Sequence, residues 1–164
     1  MTSRIALRSL IWAAICAGLM LAQTAAITVS GDIAAPLTLT ADDLAKMPRD
    51  TATIPDPSGN KIVYEGVALK EILARAGTPQ GKALRGAALN TYVIAKAHDG
   101  YEVMFTLGEV APEFGNQSIL VADKRDGKPM AGNQGPFRLV CPNDKEGARS
   151  VRMLETIEVV RLRK

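Results

Sequence analysis

Gly135 to Val159, GPFRLVCPNDKEGARSVRMLETIEV, carries a Gly-Pro turn, an apolar strand, a polar loop and a final strand in one run. Phe137, Leu139 and Cys141 alternate with Arg138 and Val140, the period of a strand, so Arg138 is expected on the opposite face from the apolar trio. Lys145, Arg149 and Arg152 follow around a hinge at Gly147. Fork-shaped guanidinium donors and a compact ammonium gathered after a strand suit a phosphate or carboxylate. Arg138, Lys145, Arg149 and Arg152 are therefore the candidate anion-binding residues. The competing reading of Arg138 is architectural, an ion pair with an acid such as Asp144 or Glu158 that closes the fold.

Upstream of this stretch, Ile119 to Ala122 reads as an apolar strand and Lys124 to Pro129 as a charged turn. Asn90 to Ala97 and Tyr101 to Thr106 form the clearest hairpin, reversed through His98-Asp99-Gly100, and Leu107 to Val110 reads as a helical turn. Val67, Leu69, Ile72 and Leu73 fall at helical spacing, which predicts a helix over 68–76 closed by Gly77. Before it, Asp50 to Ile54 and Lys61 to Glu65 are paired strands around the proline-rich turn Pro55 to Asn60, the second ending at Gly66. Thr40 with Asp43 is a helix-start signal of capping-box type, and ITVSGDI from Ile27 is an opening strand. Runs of strands with short helices to one side indicate an α+β domain with a mixed or antiparallel sheet.

The chain has 164 residues, enough for one domain with a real core. Arg4 and Arg8 precede an apolar run from Leu10 to Ala22, and Ala22-Gln23-Thr24-Ala25-Ala26 supplies small residues for cleavage, the pattern of a secretory signal peptide over 1–26. The run is shorter than the roughly 20 apolar residues of a membrane anchor. No stable membrane span is expected after cleavage, and the mature domain over 27–164 is expected to be periplasmic or secreted. Loss of the leader removes two arginines and no acid, so the formal net charge falls from +3 to +1. That leaves no sustained basic excess for nucleic acid. Of the two cysteines, Cys16 leaves with the leader, and Cys141 is expected to be a buried, inert strand residue beside Val140 and Pro142.

From Leu37 to Leu162 the sequence resembles, in a compact stand-alone form, the molybdopterin-binding domain of the sulfite oxidase family. The matching pieces are LTLTADDLAKMP, YEGVALKEILARAG, ILVADKRDGKPM, and GPFRLVCPND followed by VRMLETIEV, in the family's order. The resemblance implies the sulfite-oxidase-like fold, with molybdopterin as the cofactor to consider and with Arg138 and the loop Lys145 to Arg152 near its phosphate. It also exposes a departure. Catalytic members hold molybdenum through a cysteine on the strand after the first helix, and the corresponding stretch here, Thr51 to Asp56, reads TATIPD. Neither isoleucine nor proline replaces a thiolate, the soft ligand expected by that analogy.

Two functions from different classes follow. The first is an exported, non-catalytic envelope module that binds a small anion, a pterin or a protein partner. The second is a molybdopterin-dependent oxidoreductase whose metal site is atypical or completed by a partner chain. His98, the single histidine, sits beside Asp99 at a hairpin tip and reads as solvated surface, as do the charges of Lys124 to Lys128.

Overall fold

The structure, a computed structural model, describes residues 24–163 apart from Pro57 and Asn116. Residues 1–23, and with them most of the expected signal peptide, lie outside the described residues. No helix among the described residues is long and apolar enough to cross a membrane.

The chain opens with β1 (Ala26–Gly31) and β2 (Leu37–Thr40), an antiparallel pair. Thr40 then starts α1 (Ala41–Ala45) with the capping box expected from sequence. Its hydroxyl accepts the Asp43 N–H at 3.2 Å, and the Asp43 carboxylate accepts the Thr40 N–H at 3.0 Å. β3 (Asp50–Pro55) and β4 (Lys61–Ala68) form a hairpin whose turn is held by Asp56, the acceptor for the Ser58 and Asn60 N–H groups. α2 (Leu69–Arg75) ends as Gly77 predicts. With φ at +81°, Gly77 donates to the Ala74 carbonyl, and Thr78 donates back to that of Leu73.

The second half contains β5 (Thr91–Ala97), β6 (Glu102–Thr106), the one-turn α3 (Leu107–Val110), β7 (Leu120–Arg125), β8 (Lys128–Pro129), β9 (Arg138–Val140) and β10 (Leu154–Arg161). These strands build two five-stranded sheets rather than the single sheet expected from their order. The first runs β2-β1-β10-β5-β6, with β10 parallel to β1 and antiparallel to β5. In the second, β4 lies between β3 and β7, and the far edge of β7 pairs β8 at Lys124 and Arg125 and β9 at Leu120 to Ala122. The α+β class holds.

β4 does not stop at Gly66. It continues to Ala68 because the mismatch is absorbed on β7, where Glu65 pairs Lys124 and Gly66 pairs Ala122, leaving Asp123 as the extra residue of a bulge. The bulge turns Asp123 inward. There its carboxylate accepts two hydrogen bonds from Arg49, at 2.6 and 2.9 Å, and ties the segment before β3 to the second sheet.

Both sheets contribute to the larger core, with Ile27, Val93 and Ile157 from the first and Val67, Val121 and Leu139 from the second. Leu44, Leu69, Ile72 and Leu73 of the two longer helices fill the same core. A smaller cluster, Ala52, Ile62, Tyr64, Ala122 and Val140, lies on the other face of the second sheet. The alternation read in β9 is therefore real. Phe137, Leu139 and Cys141 enter the large core, while Val140 joins the small cluster and Arg138 shares its face beside Tyr64.

Candidate anion pocket

Arg138 reaches a cavity of about 690 Å³. One wall is the β3–β4 hairpin with Ile54, Pro55, Asp56 and Tyr64; another is the β5–β6 turn with Asp99 and Tyr101. The loop after β9 closes the remaining side with Ala148, Ser150 and Arg152. The volume lies within the ordinary range for small-molecule sites.

Arg138 is positioned from both sides. Its Nη1 donates to Gln134 Oε1 at 2.7 Å and to the Tyr64 hydroxyl at 3.1 Å, and the guanidinium carbon lies 5.2 Å from the Tyr64 ring centroid. Its Nε is buried and has no hydrogen-bond partner. Burial, and after it repulsion from Arg152 and Arg125, holds the Arg138 pKa below the usual arginine range. The acids named as architectural partners are committed elsewhere, Asp144 to Arg149 and Glu158 to Lys96. Among the described residues, then, Arg138 is a part-buried cation without a carboxylate.

The other three candidate cations separate. Arg152 is exposed and lines the cavity with Arg138. Lys145 is exposed and does not line it. Arg149 faces the other way. It donates to both oxygens of Asp144 at 2.8 and 2.6 Å and to Glu109 Oε1 at 2.6 Å, and it stacks 5.0 Å from the Phe105 ring centroid. Those hydrogen bonds to Asp144 and Glu109 raise its pKa. Arg149 is thus a clamp that fastens the loop to α3, its guanidinium answered by Asp144 and Glu109, and it is not among the residues that line the cavity.

Several cavity residues escaped the sequence reading. Arg125 was assigned to a solvated turn but is half-buried and lines the cavity. Tyr101 donates its hydroxyl to the Ala148 carbonyl at 2.7 Å, joining the β5–β6 turn to the loop after β9. Tyr64 is separated from Arg138 by 74 positions, so only sheet pairing brings them together. Gln134, four residues before Arg138, offered the one local signal. His98 is exposed, as expected, with Nδ1 2.6 Å from Glu155 Oε1.

Cys141 is buried. Its N–H donates to Ser150 Oγ at 3.0 Å, and its thiol lies 3.5 Å from the Arg149 carbonyl, which accepts from it. Burial pushes the thiol up to about 12. Because the unfolded thiol ionises near 8.5, the folded chain holds this proton more tightly across the interval between the two values. Stability is therefore expected to fall as pH rises through that interval, not below it. In native protein at pH 8 the thiol is expected to resist iodoacetamide and to react fully in denaturant. Rapid native labelling, read by mass spectrometry, would refute the buried assignment.

The sequence matches the family model for the oxidoreductase molybdopterin binding domain over residues 56–164, and the chain belongs to that family. The family expected from the four motifs is borne out. Twenty-seven solved chains match the structure. Among them is the crystal structure of the sulfane dehydrogenase SoxCD from Paracoccus pantotrophus, with a TM-score of 0.64 and 20% identity over 83% of this chain. The match spans 38% of that chain, and at this identity it speaks for the fold. No curated protein matches the sequence.

Whether the residues present suit the family's cofactor can be tested on the cavity itself. The unpartnered Arg138 Nε, with Arg152 and Arg125 nearby, suits an anionic group such as a phosphate. The metal end finds no match. Where β3 and the turn after it line the cavity they offer Ile54, Pro55 and Asp56, and Cys141 is not in the lining. Among the described residues no cluster of three His, Cys, Asp or Glu side chains could hold a metal ion.

Proposed function

We propose that this chain is an exported, non-catalytic member of its family that holds a small anion, or the anionic end of a pterin, at Arg138. The observation that carries this reading is the part-buried guanidinium at the cavity wall, with a buried Nε and no carboxylate partner. Leaving such a group uncompensated is costly, and a bound oxyanion would relieve the cost. A bound pterin would supply redox chemistry of its own. The chain's residues would bind its anionic end from Arg138 and Arg152, and Tyr64 and Gln134 would orient the fork. The leader pattern of residues 1–26 supports an envelope location, where a small-molecule ligand or a protein partner would be met.

Protein purified from its own cell envelope, assayed for molybdenum by plasma mass spectrometry and for pterin by fluorescence after oxidation, tests the non-catalytic part. Less than about one metal per ten chains is expected, since no thiolate is offered to it. Stoichiometric molybdenum would overturn the reading in favour of an oxidoreductase completed by an atypical or partner-supplied ligand.

A further inference from the structure

Among the described residues the two sheets end at β2, β3, β6, β8 and β9, and one of these edges is unlike the rest. β2 starts directly after Pro36, β3 ends at Pro55, β8 is Lys128-Pro129, and β9 lies between Pro136 and Pro142. Proline and lysine at an edge keep a further strand from adding there. β6, Glu102-Val103-Met104-Phe105-Thr106, closes the first sheet beyond β5 and has neither residue.

The register of the β5–β6 hairpin decides which groups β6 offers. Its turn closes with the Ala97 N–H on the Tyr101 carbonyl at 2.8 Å, and the ladder bonds of an antiparallel pair then fall on every second residue, at Val103 and Phe105. The main-chain N–H and C=O of Glu102 and Met104 therefore point away from β5. Met104 is also 59% exposed and stands in register with Ile94 of β5. Ile94, Tyr92 and Val160, the last two in register with each other, are part-exposed on the same outer face, the one turned from the core. The charge of Glu102 is answered within the sheet by Lys96 Nζ at 3.3 Å.

We propose that a second copy of this chain pairs with it along β6, antiparallel and two-fold symmetric about Met104. Only that register brings all five residues of the strand opposite one another. Met104 exchanges both main-chain hydrogen bonds with Met104 of the second copy, and Glu102 stands opposite Thr106 rather than opposite its own copy. On the outer face the two chains line up Ile94, Met104, Met104 and Ile94 as one apolar row. A two-fold mate is the occupant that the strand matches without change, because it meets no like charge, no proline and no residue left unpaired. The proposal does not depend on the anion reading.

Sedimentation velocity of protein purified from its own envelope is expected to show a dimer with a Kd of about 10 µM, the weak end for an interface of one strand pair and one apolar row. Met104→Lys is expected to sediment as a monomer up to about 100 µM, at least a tenfold loss. Its circular dichroism spectrum is expected to be unchanged, because the side chain replaced is exposed. Met104→Cys reads the register, since its two sulfurs meet on the symmetry axis. Mild oxidation is expected to link two such chains, as facing Cα atoms about 5.5 Å apart suit a disulfide, and Cys141 is buried and adds no background. Thr38→Cys, exposed on β2 at the opposite edge of the same sheet, is expected to stay unlinked. An unaltered chain that is monomeric at about 100 µM would overturn the proposal, even if β6 proved to take a strand from another protein. A dimer that survives Met104→Lys, or Met104→Cys chains that link no faster than Thr38→Cys chains, would overturn it too.

Discussion

Arg138→Met is expected to weaken phosphate binding by about a hundredfold, as two charge-assisted hydrogen bonds are lost, while the fold becomes no less stable. The two halves of this expectation come from one observation. Arg138 is part-buried, its Nε has no partner, and its pKa is depressed first by burial and then by Arg152 and Arg125. A cation whose pKa falls on folding destabilises the folded state at every pH below that lowered value. The cost is thus present throughout the neutral range and would be relieved only in strong alkali. Methionine keeps the length of the stem and removes the charge, a change that is neutral or stabilising by about 1 kcal/mol at the mild end of buried-charge replacements. Tyr64 and Gln134 lose a donor but line the same cavity, where water can take its place. Urea unfolding and calorimetric titration of the same variant read the two effects separately. A drop in the urea midpoint with phosphate affinity unchanged would make Arg138 an architectural residue and remove the basis for the pocket.

How much of this was legible beforehand depended on distance along the chain. The β9 alternation needed only the period of Phe137, Leu139 and Cys141, and Thr40 with Asp43 needed three residues; both are as read. The charge of Arg149 could not be judged in that way. One of its partners, Asp144, is five residues away, but the other, Glu109, is 40 away at the start of α3. A cluster of cations on a loop says where positive charge is, and only the fold says which of it is already answered. The same limit hid Tyr64 and Arg125 as cavity residues, because β4 and β7 had first to be paired. It also hid the second sheet, since the pairing of β10 with both β1 and β5 is a long-range choice that strand order leaves open. The absent thiolate was visible at once. Thr51 to Asp56 contains no cysteine, and the structure adds that this segment does reach the cavity.

Gly66 shows most sharply how a local signal was misread, and it carries the largest expected effect on stability. A glycine after Glu65 reads as the end of a strand, yet β4 continues for two more residues beyond it. Space, not turning, is the reason glycine is there. A Cβ at this position would stand 2.0 Å from the Val121 carbonyl oxygen and 2.6 Å from the Ala122 Cα, both backbone atoms of the neighbouring strand. No rotamer can relieve a clash with backbone. Gly66→Ala therefore has to push β4 and β7 apart beside the Asp123 bulge, and the expected loss is at least about 3 kcal/mol, the upper end of overpacking costs. That is a large share of the roughly 5–15 kcal/mol that holds a domain together. Because Tyr64 and Arg125 lie on the same two strands, phosphate affinity is expected to fall with it. Gly147→Ala is the matched control. It sits on the cavity wall, has ordinary φ and would place its Cβ within 4 Å of nothing, so stability is expected to stay within about 0.5 kcal/mol. Urea midpoints of the two variants that fell by the same amount would show that the close approach of β4 to β7 is not what demands glycine at position 66.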